Sequence, residues 1–496
     1  MNNLNFLVDV LKESPVFKTL EKNVKPGRTV CASGLSTINK SNIIYALCRL
    51  KGVTAFCLAS DEKEAQTLCN DLSCMGLRAY VYPVRDFNFL DFQSRSHEYE
   101  HARLKVLLKL INHECDVAIA CVDAAAQLTV PRNVLEQSVI EFEEGRELSL
   151  EKATKALTLL GYERFDAVEG SGQFSLRGGI LDFFMPDSDY PVRCEFWGDE
   201  ITDLSYFDIE TQRRFKKADK ITLSPSTEIV IEDRAALADK IEHKAKLLRS
   251  KNSAKAKEKL FSEAELIRSG AMIANADKFI NQIYDKPESL FDYLDRNTLV
   301  FASEFTAIQE RGKSMDFISN ETLMQGFEDG TLCRGFDRFA LTFNECTEFL
   351  QSHGTIVLEN FVHGSMPIKL SEIISFSTKQ LSAWGGSYKQ LKEDVDGLFT
   401  PESKGVIFAG TERAAKNLCD TFNADGINAV YSEGADKISK GELLVMQGAL
   451  SAGFEYPSQK FFAITYSQVS YRPEKSKRRR KRRDRKFTVF QSLTPR

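Results

Sequence analysis

Residues 28–50, RTVCASGLSTINKSNIIYALCRL, set a short β-type run before a loop and then a helix-compatible run. The loop, GLSTINKS at 34–41, follows the phosphate-cradle spacing G-x-x-x-x-G-K-[ST] with one departure. Gly34, Lys40 and Ser41 stand where the pattern wants them, and Asn39 takes the place of the second glycine. Such a cradle works because consecutive backbone N–H groups converge at a helix N-terminus while the lysine neutralises the β- and γ-phosphates. The second glycine permits positive φ and close approach of the backbone. Asparagine tolerates left-handed φ better than other non-glycine residues, so Asn39 weakens the cradle without disproving it. The bland reading is a strand–loop–helix corner that happens to contain a lysine and a serine.

Working outward, the flanking segments alternate in the same way. TAFCLAS (54–60) is a second strand ending at Ser60, a plausible N-cap for the helix DEKEAQTLCNDLSCMG. AYVYP and DVAIACV are further short apolar runs, and such alternation predicts a parallel sheet covered by helices. Residues 141–225 read differently: GQFSLRGGILDFFMP and VRCEFWGDEITDLSYFDI predict a small, mostly antiparallel β domain with a turn at Gly198-Asp199. Residues 232–290 turn helical and highly charged. Residues 404–470 return to α/β, and GVIFAGTERAAKNLCDTFNADGINAVY echoes AFCLASDEKEAQTLCNDLSCMGLRAYVY. We read the echo as convergence on one βαβ solution, since two distant copies are not an array.

At 496 residues the chain should hold several domains. It is 43% hydrophobic and 27% charged, the composition of a globular protein, and no run of about 18 apolar residues predicts a membrane span. MNNLNFLVDVLKES lacks a basic start and a small-residue cleavage site, so no secretory signal is expected. Eleven cysteines without a C-x-x-C pair imply reduced, mostly buried thiols in the cytoplasm, and no metal site built on them. Net charge is −4, but residues 472–486 carry eleven basic and two acidic side chains, so that segment holds +9 and the remainder −13. An acidic body argues against a general DNA-binding surface. The basic run has no interleaved aromatics for base stacking. It reads as a solvated linker with weak attraction to DNA phosphates.

Nucleotide hydrolysis needs a carboxylate at the end of a neighbouring strand to hold Mg²⁺ and a second one to position water. The best strand, NTLVFASEFTAI, ends in Ala302, Ser303, Glu304 and Phe305. Here the chain resembles a known family. PESLFDYLDRNTLVFASEF (287–305) is similar to the stretch of the excision-repair protein UvrB that ends in its D-E-S-H motif. Laid ungapped on it, Ala302 replaces Asp, Ser303 replaces Glu, Phe305 replaces His, and Glu304 falls at the Ser position. Alternation along a strand points Glu304 elsewhere. The resemblance thus implies a relic nucleotide site (Gly34, Asn39, Lys40, Ser41, Ala302, Ser303, Glu304) with the architecture kept, the catalysis lost, and no catalytic residue in this portion.

SLRGGILDFFMPDSDYPVRCEFWGDEITDLSYFDIETQR (175–213) resembles the UvrB insertion domain that docks UvrA. The whole chain resembles the N-terminal part of the bacterial transcription-repair coupling factors more closely than UvrB, and RKFTVFQSLTP resembles the start of their polymerase-interaction domain. Arg177 and Arg193 match the two arginines that contact UvrA in this domain family, and Trp197 falls at an aromatic contact. Arginine and tryptophan are enriched in interface hot spots, and a guanidinium offers a fork for a partner's carboxylates. The competing reading pairs both arginines with Asp182 and Glu195 and puts Trp197 in the core.

The resemblance implies an α/β multidomain protein. It has a helicase-like, P-loop parallel-sheet domain similar to UvrB, an inserted small β-rich domain, a helical subdomain and a further small α/β domain. The expected divisions are 26–140 for UvrB domain 1A, 141–225 for the UvrA-docking domain, 1–25 with 226–366 for domain 1B, 367–470 for the added α/β domain, and 471–496 for a basic linker. The implied partner is UvrA. RNA polymerase, duplex DNA, ATP and Mg²⁺ are expected to be engaged by polymerase-binding and motor domains outside this portion. A UvrB-type ATPase fragment is the alternative. A further rival is a zinc protease, because HEYEH (97–101) spells H-E-x-x-H. It is rejected on sequence: the positions where a metzincin extension wants Gly and His are Leu104 and Leu107, and the surrounding QSRSHEYEHARLK reads as a solvated first turn.

Overall fold

The computed structural model describes residues 4–85, 97–249, 253–270, 276–361, 366–385 and 387–466. The basic run 472–486 and the RKFTVFQSLTP stretch lie outside them. The protein is α/β, built on a seven-stranded sheet in the order Glu372–Ser375, Val30–Ser33, Thr355–Leu358, Leu299–Ser303, Ala55–Ala59, Val117–Cys121, Ala79–Tyr82. Every neighbouring pair is parallel. The five central strands are buried along nearly their whole length, which is why they read as continuous apolar runs. Their side chains alternate between two cores. Ala55, Cys57 and Ala59 face helices Thr37–Lys51 and Glu62–Cys74, while Phe56 and Leu58 face helices Glu98–Ile111 and Phe305–Asp329. The sheet takes strands from three of the segments into which the sequence divides the chain: 26–140, 226–366 and, through Glu372–Ser375, 367–470. Helices Asn5–Lys12 and Pro15–Asn23 share the core of helix Thr37–Lys51.

The inserted unit is a six-stranded sheet in the order Arg214–Lys217, Glu200–Phe207, Val192–Trp197, Ile180–Phe183, Gln173–Arg177, Glu163–Arg164. It is antiparallel except for the last pair, and its Gly198-Asp199 turn has Gly198 at φ +65°. Strands Ile140–Glu143 and Lys220–Leu223 pair with each other where the chain enters and leaves, closing the insertion. Helices Arg234–Leu247 and Ser253–Arg268 form a hairpin around Leu237, Ile241, Leu260 and Ile267.

The C-terminal unit has six strands in the order Lys379–Leu381, Gly453–Tyr456, Phe461–Thr465, Lys404–Phe408, Glu442–Met446, Ala429–Ser432. Its echo of the first sheet is physical. Cys69 Sγ and Cys419 Sγ each donate to the carbonyl ten residues on, Ala79 at 3.4 Å and Ala429 at 3.2 Å, pinning helix to following strand. The N-cap of helix Glu62–Cys74 is Asp61 rather than Ser60; its carboxylate takes the Glu64 N–H, and Ser60 instead bonds the Glu64 side chain.

The first turn of the HEYEH helix is only partly solvated: Glu98 and Tyr99 are exposed. Glu100 is turned inward and accepts from Thr227 Oγ1 and the Glu228 N–H, both at 2.8 Å. Its carboxyl is pulled down to about 2: burial alone would raise it, but the His97 bond and Arg85 outweigh burial. His97 Nδ1 lies 2.9 Å from that same carboxylate, and the His101 ring packs where a Cβ on Gly172 would fall. Among the described residues no group of three or more His, Cys, Asp or Glu is placed to hold a metal. One turn on, the buried Arg103 donates through Nε to Glu228 at 2.7 Å and through Nη1 to Gln127 at 2.8 Å, and lies 4.2 Å over the Tyr82 ring. Thr129 Oγ1 donates to the same Glu228 at 2.7 Å. This cluster fastens the exit of the β-rich insertion to the parallel sheet. Removing one partner of a buried ion pair strands the other charge, so Glu228→Ala should lower the unfolding free energy by about 3–5 kcal/mol. Urea unfolding measures it, and a midpoint equal to that of the parent chain would contradict the role given to this pair.

Candidate functional site

The first candidate is the cleft at the carboxyl ends of the parallel strands. Gly34 leaves its strand at φ +80°, and a Cβ there would lie 2.2 Å from the Phe376 carbonyl oxygen, so only glycine fits. The Gly34 and Leu35 N–H groups donate to the Asn360 and Glu359 carbonyls, each at 3.1 Å. Ser36 Oγ donates to Asn39 Oδ1 at 2.7 Å, and Thr378 Oγ1 donates to the Gly34 carbonyl at 2.7 Å. Lys40, 1% exposed, places Nζ 2.5 Å from Glu304 Oε1, 2.9 Å from Ser303 Oγ and 3.3 Å from Glu64 Oε1.

Glu304 therefore does not point away, as strand alternation predicts. It sits past the strand's last residue at φ +57°, where the two-residue period no longer holds, and this left-handed turn swings the carboxylate over Lys40. Ala302 is buried within the strand and brings no polar group.

Two carboxylates escaped the sequence reading. Glu64 accepts from the Ser60 N–H at 2.9 Å and from Ser303 Oγ at 2.6 Å. Glu359, just past strand Thr355–Leu358, is fully buried and accepts the Phe305 N–H at 2.8 Å through Oε1, while its Oε2 has no partner. Burial, then the nearby Glu304, pushes its carboxyl up to about 7. The available signal was an acid closing the apolar run TIVLE at 355–359.

The helix behind the loop is covered by the C-terminal unit. Ser41 Oγ donates to Asp71 Oδ2 at 3.3 Å, and Asp71 also accepts the Ser451 N–H and Oγ, each at 2.7 Å. Asn42 Nδ2 donates to Tyr456 OH at 3.1 Å. Leu450, Phe454, Tyr456 and Phe461 share one core with Ile43, Ile44 and Leu47. Burial raises the Asp71 carboxyl to about 6 despite the Ser451 bonds.

The second candidate is one face of the β-rich insertion. Along strand Val192–Trp197 burial alternates, so Arg193, Glu195 and Trp197 share the outer face. Register sets Ser175, Asp182 and Arg193 side by side across three strands. Arg177 Nη2 and Arg193 Nη2 both donate to Asp182 Oδ2 at 2.8 Å, and Arg193 Nε donates to Oδ1 at 2.7 Å. The competing reading is thus met in part. Asp182 takes both arginines, whereas Glu195 pairs with Arg214, and Trp197 is 83% exposed rather than core. Trp197 edges a depression of ≈ 390 Å³ with Gly179, Ile180, Glu195, Phe196 and Thr202.

Comparison with known proteins bears on this unit and on the chain as a whole. Residues 140–229 match the family model of the UvrB interaction domain, a span that begins with one strand of the closing pair and ends just beyond the other. The chain is 26% identical over 95% of its length to the transcription-repair-coupling factor of Bacillus subtilis, covering 41% of that protein. It is 25% identical over 81% of its length to the factor of Staphylococcus epidermidis, covering 34%, and 22% identical over 96% to that of Staphylococcus aureus, covering 41%. The chain is similar to an N-terminal portion of the transcription-repair-coupling factors. It spans about two fifths of the length of the Bacillus relative. Among the described residues no helix is long and apolar enough to cross a membrane.

The cleft carboxylates give a pH prediction. Glu359 rises from 4.5 to about 7 on folding, so between those values the folded state holds the extra proton and stability falls as pH rises. Asp71, raised from 3.8 to about 6, acts in the same direction. Glu359→Gln removes the first contribution and keeps the bond from Phe305. Its thermal midpoint relative to the parent chain should climb between about pH 5 and pH 8, and a constant difference over that range would contradict the arrangement.

Proposed function

We propose that this chain serves transcription-coupled nucleotide excision repair as a UvrB-like module that docks UvrA and does not itself turn over ATP. The observation that carries the reading is the sheet face of the UvrB interaction domain, where Arg177 and Trp197 are exposed on the two strands that flank Ile180–Phe183, and Ile180, opposite Arg177, lines the depression that Trp197 edges. Arginine and tryptophan are the side chains that most often dominate interfaces. In the whole factor, the rest of the protein would recognise RNA polymerase stalled at a lesion, release it as an ATP-dependent translocase on duplex DNA, and recruit UvrA through this module, in the cytoplasm.

The cleft does not fit a triphosphate. The Lys40 ammonium that would meet the phosphates is paired with Glu304, and the loop's first two N–H groups are bonded to carbonyls. The Ser41 hydroxyl that would reach Mg²⁺ faces Asp71, and the Phe376 carbonyl presses on Gly34. A UvrB-type ATPase is the reading this geometry disfavours.

Two measurements test the proposal. Immobilised UvrA should retain the chain, and Arg177→Ala with Trp197→Ala should weaken retention by tenfold or more, about 1.4 kcal/mol or beyond. Equal retention of the parent and the double variant removes the docking face from the account. ATP turnover by the parent chain should stay at background. Lys40→Ala should instead show its effect as lost stability, about 3–5 kcal/mol, because Glu304 and Glu64 lose their cation. Turnover abolished by Lys40→Ala would favour the ATPase.

A further inference from the structure

Resting on the reading of this face as a UvrA-docking surface, we infer that Asp182 is a positioning residue for docking. It holds Arg193 as an internal strut and turns Arg177 outward to take a carboxylate of the partner, beside the Trp197 depression that takes an apolar side chain.

The two arginines are not equivalent. Arg193 is consumed internally. Besides its two bonds to Asp182, Nη1 donates to the Gln212 carbonyl and Nη2 to Gln212 Oε1, both at 3.2 Å, and the guanidinium lies 4.4 Å over the Phe207 ring. Its side chain is 13% exposed. Arg177 makes a single hydrogen bond, to Asp182 Oδ2, and is 51% exposed. A guanidinium has five N–H donors in a planar fork, so one bond anchors Arg177 and leaves an edge of the fork for a second carboxylate. Gly178, at φ +61° with open space where a Cβ would be, keeps the approach clear.

Two other acids of this face are engaged, Glu195 and Asp203. Arg214 pairs with Glu195 and, at 3.0 Å, with Asp203. Asp182 itself is 1% exposed and cannot reach a partner. It acts through Arg177. A long side chain released from its anchor samples many rotamers and binds less well. The partner surface therefore presents a carboxylate next to an apolar side chain.

The test is a double-mutant cycle on UvrA binding by the full chain, with thermal midpoints measured alongside. Asp182→Asn keeps the shape and removes the charge. It should weaken binding about tenfold in the parent chain, and in the Arg177→Ala background it should cause no further loss. Arg177→Ala should weaken binding with an unchanged midpoint, whereas Arg193→Ala should lower the midpoint as well. Additive losses from Asp182→Asn and Arg177→Ala, or full affinity in Asp182→Asn, would overturn the positioning role. If Asp182→Asn does not fold, Asp182→Glu, which keeps the charge and displaces it by one methylene, enters the same cycle with the same expectation. A parent chain that fails to bind UvrA overturns the docking reading itself, an outcome distinct from additive losses in a chain that binds.

Discussion

A buried ammonium must be paired, and around Lys40 that requirement organises the cleft. An unpaired charge in the interior costs several kcal/mol, so a phosphate-loop lysine without phosphate needs carboxylates of its own. Glu304 and Glu64 supply them, with Ser303 bridging. The carboxylates come from three-dimensional neighbours: one from the turn after strand Leu299–Ser303, one from the helix after strand Ala55–Ala59. The same lysine that would bind a nucleotide in a working motor thus ties three strand–helix junctions together. Once it does so, the loop behind it can be packed against protein. The C-terminal unit takes that position, through Phe376, Thr378, Ser451 and Tyr456.

The proposed docking face shows the same economy of charge on a sheet surface. Asp182 is buried because it lies mid-strand in the middle of six strands, and it is stable there because two guanidinia converge on it. Beside it Glu195 and Asp203 are paired with Arg214, while the Trp197 indole is exposed and the Arg177 guanidinium half-exposed.

Between these two places runs the Arg103–Glu228 cluster. It joins Tyr82, Arg103, Gln127 and Thr129, before the insertion in the chain, to Glu228 after it. The insertion is closed by its own strand pair and seated by this cluster, so it is held to the parallel sheet by buried charge as well as by apolar packing.

The local pattern determined a good deal by itself. Apolar runs at 30–33, 55–59 and 117–121, each followed by a helix, dictated a parallel sheet, because only strands buried on both faces read as unbroken apolar runs. The Gly198-Asp199 hairpin and the β-rich insertion were legible for the same reason: turn chemistry and period are short-range. What only tertiary structure decided was long-range. Glu304 turns inward because its backbone leaves the strand, the Asn360 N–H reaches it from 56 residues on, and Glu100 reaches Thr227 across 127 residues. The unequal roles of Arg177 and Arg193 follow from which of them Gln212 and Phe207 happen to meet. Spacing along a chain encodes which side chains share a strand; it does not encode which distant carboxylate a buried cation will find.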